Sequence, residues 1–307
     1  MKTVPPTLQI AVFMLILLAC SSCIDGSQPI NHSDSLPEVT PTAFPVTTDE
    51  FPSPEPPILT PTLENTPEPA CVERSGILQA ASYESKVLDE ILDVQVYLPP
   101  CYKSSGLEYP AAYFFHGSPP RSADWVQLGI TERMDEGVEA GRYPPAVLVF
   151  PLIPDDIFLW SDGGPGSYEE EFFLGLVPFV ENTYSIESRG EARSVAGISR
   201  GGIWALELSF THPDDFIAAA ALSPALQYNS PRPLYDPFEI PGRMEMGPRR
   251  LLLLAGDGDW ARDETEELAE ILESYNRPVT LVLSPGGHEI DLWKNELDRV
   301  LSFLLAE

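Results

Sequence analysis

From residue 111 onward, short apolar, strand-like runs alternate with longer segments of helical periodicity, and this alternation constrains the fold more than anything else in the chain. The strand-like runs cover residues 111–115, 146–150, 194–198, 216–222, 250–255 and 279–283. Helix-like segments cover residues 123–140, 168–182, 202–211 and 264–275, with a last one from residue 289 onward. Parallel strands need a crossover connection, and repeated strand-helix units imply a mostly parallel sheet with helices on both faces. Ahead of this series, residues 77–82 and 91–98 alternate apolar and polar positions and read as an N-terminal antiparallel hairpin. The fold class is therefore α/β.

Composition divides the chain into three parts. An apolar run over residues 8–19, shorter than the ~20 residues of a membrane span, follows Lys2, so residues 1–19 read as a secretory signal. Leu17-Leu18-Ala19-Cys20 resembles the bacterial lipoprotein box, in which the leader is cut before a cysteine that becomes lipidated. The alternative is a plain signal cut near Ala19 to Ser22, with Cys20 incidental. Either way the mature chain leaves the cytoplasm. Residues 24–70 are rich in Pro and Thr and contain no Lys or Arg. Such a segment buries too little apolar surface to offset its chain entropy, so residues 20–70 read as the lipid-anchor cysteine and a disordered tether. Residues 71–307 form the folded domain. An exported context permits a disulfide between Cys71 and Cys101, the alternative being two buried thiols.

Charge narrows the partners. Acidic residues outnumber Lys and Arg by 47 to 18, a net charge of -29, which excludes nucleic acid because phosphate neutralisation needs cationic side chains. Membrane contact would come through lipidated Cys20. A strongly anionic substrate is disfavoured too, though local patches can differ.

In sheets of this kind ligands bind at the carboxyl ends of the strands. The residues at those ends are His116-Gly117, Ser199, Asp257-Gly258-Asp259 and Gly286-Gly287-His288. Ser199 stands in Gly197-Ile198-Ser199-Arg200-Gly201-Gly202, where a strand must become a helix. It is either a nucleophile at a strained strand-turn-helix elbow or a turn residue capping the helix. A serine nucleophile needs a base, and the base a carboxylate to orient it. Of four histidines, His32 lies in the tether, His212 ends a helix and His116 precedes Gly117; His288 follows a strand, downstream of Ser199 and the acidic loop. The order Ser, Asp, His is that of α/β-hydrolases. No motif calls for a metal or a cofactor.

These motifs together resemble the esterase D and enterochelin-esterase-like group of the α/β-hydrolase superfamily, over roughly residues 75–305. The group holds S-formylglutathione hydrolases, enterochelin-type esterases, feruloyl and acetyl-xylan esterases, and mycolyltransferases. The resemblance implies an α/β-hydrolase fold with Ser199 as nucleophile, His288 as base and Asp259 as the carboxylate of a loop opening at Gly256. Asp257, two residues earlier, and Asp291, just past the histidine, stay open as alternatives. It implies oxyanion donors from the Arg200 backbone N–H and from Gly117 or Ser118, with His116 shaping that loop or serving as a satisfied structural histidine. His116, Trp160 and Asp162 are candidate residues of an acyl or alcohol pocket, or Trp160 packs under a loop. The Pro-rich excursion over residues 223–248 reads as a short lid or pocket wall, against a passive surface loop. The implied function is an exported serine esterase acting on a small-molecule or polysaccharide-linked ester. An acyltransferase would share its acyl-enzyme, and a non-catalytic binding lipoprotein would keep only the fold.

Overall fold

The computed structural model describes residues 71–118, 125–159, 161–243 and 247–306. Residues 1–70, over which a signal sequence, a lipidated Cys20 and a tether are expected, and Trp160 lie outside the described residues.

The hairpin forms from β1 (Ile77–Glu84) and β2 (Ile91–Leu98), paired antiparallel. A short helix α1 (Tyr102–Ser105) leads to β3 (Ala111–Phe115), and α2 (Trp125–Leu128) and α3 (Ile130–Glu139) cross over to β4 (Val147–Pro151). Then come α4 (Asp155–Phe158), α5 (Tyr168–Glu171), a π-helical turn over Phe172–Leu176, and α6 (Val177–Thr183). The remainder is β5 (Arg193–Ile198), α7 (Arg200–Thr211), β6 (Ala218–Leu222), β7 (Arg250–Gly256), α8 (Arg262–Ser274), β8 (Thr280–Ser284), α9 (Ile290–Asn295) and α10 (Leu297–Leu305). The strands make one eight-stranded sheet ordered β1-β2-β4-β3-β5-β6-β7-β8, parallel from β4 to β8. This is a mostly parallel α/β sheet.

Its strands are apolar at nearly every position because both faces are covered. Tyr113, Val149, Val195, Ala219 and Leu253 pack with α5 to α8. Their neighbours Ala112, Phe114, Leu148, Ala196, Ala220 and Leu252 pack with α2, α3, α9 and α10. In β6 four alanines precede Leu222, and the small side chains leave room for fully buried Trp204 of α7 on one face and Leu301 of α10 on the other.

The chain order reverses between β3 and β5: from β3 the chain first goes to β4 on one side, then returns to β5 on the other. Such a switch point opens a crevice beyond the carboxyl ends of these two strands, where Gly117, Ser118 and Ser199 emerge.

Three helical segments differ from their periodicity. The segment at 123–140 breaks between α2 and α3 at Gly129, which takes φ 92°. The 168–182 segment widens into the π turn next to Glu171, whose carboxylate is fully buried and accepts from Ser85 Oγ and from the Lys86 and Val87 N–H groups at 2.5, 2.8 and 3.0 Å. The last helix divides at Glu296, whose carboxylate accepts from Ser284 Oγ at 2.7 Å. In the latter two, a buried polar demand from a distant segment coincides with the break, and apolar spacing carries no trace of it.

A disulfide joins Cys71 to Cys101, with a Cα–Cα distance of 5.7 Å across 30 residues. It lies past the end of β2 that pairs with the start of β4, opposite the strand ends that form the crevice. The chain-entropy argument gives about 3–4 kcal/mol for a loop of this size. Replacing both cysteines with serine is therefore expected to lower the unfolding free energy by about 2–4 kcal/mol, measured by denaturant titration without reductant, while chemistry in the crevice at 25 °C is unchanged.

Candidate active site

Ser199 occupies the turn between β5 and α7 with φ 55° and ψ -115°. A side chain in that region is strained by of order 1–3 kcal/mol and persists only where its surroundings over-determine it. Here they do. Its N–H donates to the Leu222 carbonyl at 2.9 Å, and its carbonyl accepts from Gly202, Ile203 and Ala225 N–H at 3.0, 3.3 and 3.1 Å. The turn is tight enough that a Cβ at Gly197 would sit 1.9 Å from the Gly201 carbonyl oxygen, and one at Gly201 would sit 2.5 Å from that of His116. Glycine at both positions is thus a packing requirement. The Ser199 side chain does not cap the helix; it points at an imidazole.

His288 Nε2 lies 3.1 Å from Ser199 Oγ, and its Nδ1 lies 3.0 Å from Asp259 Oδ1. The ring is stacked 4.1 Å from Trp260 and meets the edge of Trp293 at 5.1 Å, so packing fixes its plane. Asp259 is only 6% exposed. Burial pushes its carboxyl up, but hydrogen bonding from His288, the adjacent Ser223 hydroxyl and the Ala261 N–H outweighs that and holds it below the usual carboxylate range. Asp257 does a different job: its Oδ1 accepts from Gly286 N–H at 3.1 Å. With Asp257 N–H on the Ser284 carbonyl and Gly258 N–H on the Gly286 carbonyl, it zips the acidic loop to the histidine loop. Asp291 lies in the first turn of α9, and the carboxylate on His288 is that of Asp259.

As the first residue of α7, Arg200 has a backbone N–H with no acceptor one turn back in the helix, directly beside Ser199. Gly201 packs against the carbonyls of Phe115 and His116, which brings the loop carrying Gly117 and Ser118 to the elbow. Ser118 and Ser199 line the same pocket. His116 is buried, and its tautomer follows from its partners: Ile153 N–H donates to Nε2 at 3.3 Å, so Nδ1 carries the proton and donates to the Gly117 carbonyl at 2.7 Å. It shapes the loop.

The pocket beside Ser199 has a volume of about 820 Å³, within the range of small-molecule sites. The excursion forms one wall of it, and polar bridges fasten that wall to Phe158, Ser161, Asp162 and Gly163. The Arg200 guanidinium donates to the carbonyls of Phe158 and Ser161 at 2.7 and 2.8 Å and to Asn229 Oδ1 at 2.9 Å. Asp162, expected in the pocket, lines it and accepts a fork from Arg232 Nε and Nη2 at 3.0 and 2.8 Å. Sequence reasoning missed Arg232, Asn229 and Trp260. Trp260 had a signal, since it adjoins the candidate carboxylate. The Asp162–Arg232 pair joins residues 70 apart in a loop and an irregular excursion, and no periodicity relates them.

Fold and site together define an α/β-hydrolase with its serine at a strand-to-helix elbow. The chain matches the Esterase family ("Putative esterase") over residues 85–304 and belongs to it. A Mycobacterium tuberculosis esterase is 30% identical over 143 residues, which span 42% of this chain and 28% of that protein. The ferri-bacillibactin esterase BesA of Bacillus subtilis is 29% identical over 196 residues, covering 59% of this chain and 67% of BesA. A solved ferulic acid esterase superposes with a TM-score of 0.67 at 22% identity, over 75% of this chain and 98% of its own, a likeness of fold.

The two acidic positions separate by experiment. Asp259→Asn is expected to lower kcat by about 10³ to 10⁴, because it disturbs the imidazole tautomer. Asp257→Asn, which weakens only the bond to Gly286, is expected to cost about tenfold or less. Steady-state hydrolysis of a chromogenic ester reads both.

Proposed function

We propose that the protein is a serine esterase that hydrolyses a carboxylic ester through an acyl-enzyme on Ser199. The observation that carries this reading is the unbroken chain Ser199 Oγ, His288 Nε2, His288 Nδ1, Asp259 Oδ1 on a strained elbow at the mouth of a pocket. Neutral His288 takes the Ser199 proton as Oγ attacks the ester carbonyl, and Asp259 stabilises the imidazolium. The oxyanion forms between the Arg200 N–H and the Gly117–Ser118 loop, where fixed dipoles meet the developing charge without reorganisation. His288 then protonates the departing alcohol. Water, deprotonated by the same imidazole, attacks the acyl-enzyme; the bond to Ser199 Oγ then breaks, His288 returns the proton to Oγ, and the acid leaves. We further propose export and anchoring through lipidated Cys20, with residues 24–70 as spacer; the leader, the cysteine and the Pro- and Thr-rich composition support this.

Ser199→Ala is expected to lower ester hydrolysis about ten-thousandfold or more while the fold is retained, as judged by circular dichroism. Activity should also rise with pH through a single acid limb. Protonated His288 cannot accept the serine proton, so activity is lost as pH falls. Asp259, held below the usual carboxylate range, stays ionised through that window and adds no second step. Turnover by the alanine variant equal to that of the parent, or activity flat from acid to neutral pH, removes this assignment.

A further inference from the structure

The pocket beside Ser199 reverses the charge balance of the chain. Acidic residues outnumber cationic ones by 47 to 18, yet among the described residues the pocket is lined by Arg200 and Arg232 against Asp162 alone, apart from the imidazole. Behind Arg200 lies Glu207, almost fully buried. Loss of hydration pushes its carboxyl up, which favours the neutral form and weakens its cancellation of the guanidinium charge.

The two arginines are committed differently. Arg200 is buried and spends Nε, Nη1 and Nη2 on Phe158, Asn229 and Ser161, so it serves to hold the wall. Arg232 is 62% exposed at its side chain. Its Nε and Nη2 fork onto Asp162, Nη2 also donates to the Gly163 carbonyl at 2.7 Å, and its guanidinium lies 4.8 Å over the Tyr235 ring. Those contacts fix the plane of the group and leave Nη1, with two N–H donors, without a protein acceptor among the described residues. Trp260 and Tyr228 stand on the imidazole side, where the alcohol departs. Arg232 is tied instead to residues 162–163, which adjoin Ser161 on the Arg200 guanidinium.

We propose that Arg232 is a specificity-determining residue that binds a carboxylate on the acyl portion of the substrate, so that the preferred substrates are monoesters of dicarboxylic acids. This rests on the esterase reading above. The net charge of the chain does not forbid it, because separated surface charges are screened beyond a Debye length of about 8 Å, whereas a charge-assisted hydrogen bond acts at contact. Asp162 cancels part of the guanidinium charge, and the Gly163 carbonyl and the Tyr235 ring hold the plane of the group without it.

The test uses full-length protein and two 4-nitrophenyl esters matched in acyl length, the hexanoate and the mono-adipate. The readout is the ratio of kcat/KM for the adipate to that for the hexanoate, so losses common to both substrates cancel. The parent is expected to favour the adipate by about fivefold to tenfold. Arg232→Gln should bring the ratio to unity or below, and Asp162→Asn, which unmasks the guanidinium, should raise it. A merely structural clamp would slow both esters alike and leave the ratio unchanged. A ratio unaffected by Arg232→Gln, or lowered by Asp162→Asn, overturns the proposal while the esterase reading stands. Failure to hydrolyse either ester removes both.

Discussion

Ser199 is held at φ 55° by hydrogen bonds that leave its backbone no other choice, and the rest of the site is arranged around that constraint. The N–H is fixed by the end of β6, and the carbonyl by α7 and by Ala225 just past β6. In this geometry the side chain cannot fold back to cap α7, so Oγ projects into the crevice. The strain, of order 1–3 kcal/mol, is offset by a core in which β5 and β6 are buried on both faces.

From that point outward each partner is placed by a different strand. β5 leads into the Ser199 turn, β7 into the Asp259 loop, and β8 into the His288 loop. The last two loops are joined by Asp257, so histidine and carboxylate are positioned as one unit. Trp293 extends the arrangement: its ring edge meets His288, and its Nε1 donates to Ser223 Oγ at 3.0 Å, next to the Asp259 carboxylate. Preorganisation of this kind spares the reaction the cost of orienting its own groups.

What the sequence makes legible, and what it hides, follows from the range of each interaction. Strand runs, helix periodicity and the glycines around Ser199 are local, and the structure places sheet, hairpin and elbow where local pattern puts them. Ser199 and His288 are recognisable because each follows a strand at the same end of the sheet, whereas Asp259 and Asp257 share the loop after β7 and only the family resemblance favours Asp259. The break at Glu296, the π turn beside Glu171 and the Arg232–Asp162 clamp are not legible, since each depends on a polar group from a distant segment. Arg200 shows both cases. Its backbone N–H was assigned from its position after the serine, while its guanidinium, which ties the pocket wall to the loop after α4, has no sequence signature.

The central claim is that Ser199 Oγ becomes covalently acylated, and peptide mass mapping after a rapid acid quench tests it most directly. With an activated ester in excess, the account predicts an acyl mass added to the peptide containing Ser199, present within the first turnovers and cleared as ester is exhausted. An unmodified Ser199 peptide throughout turnover, or the acyl group on another residue, would contradict it.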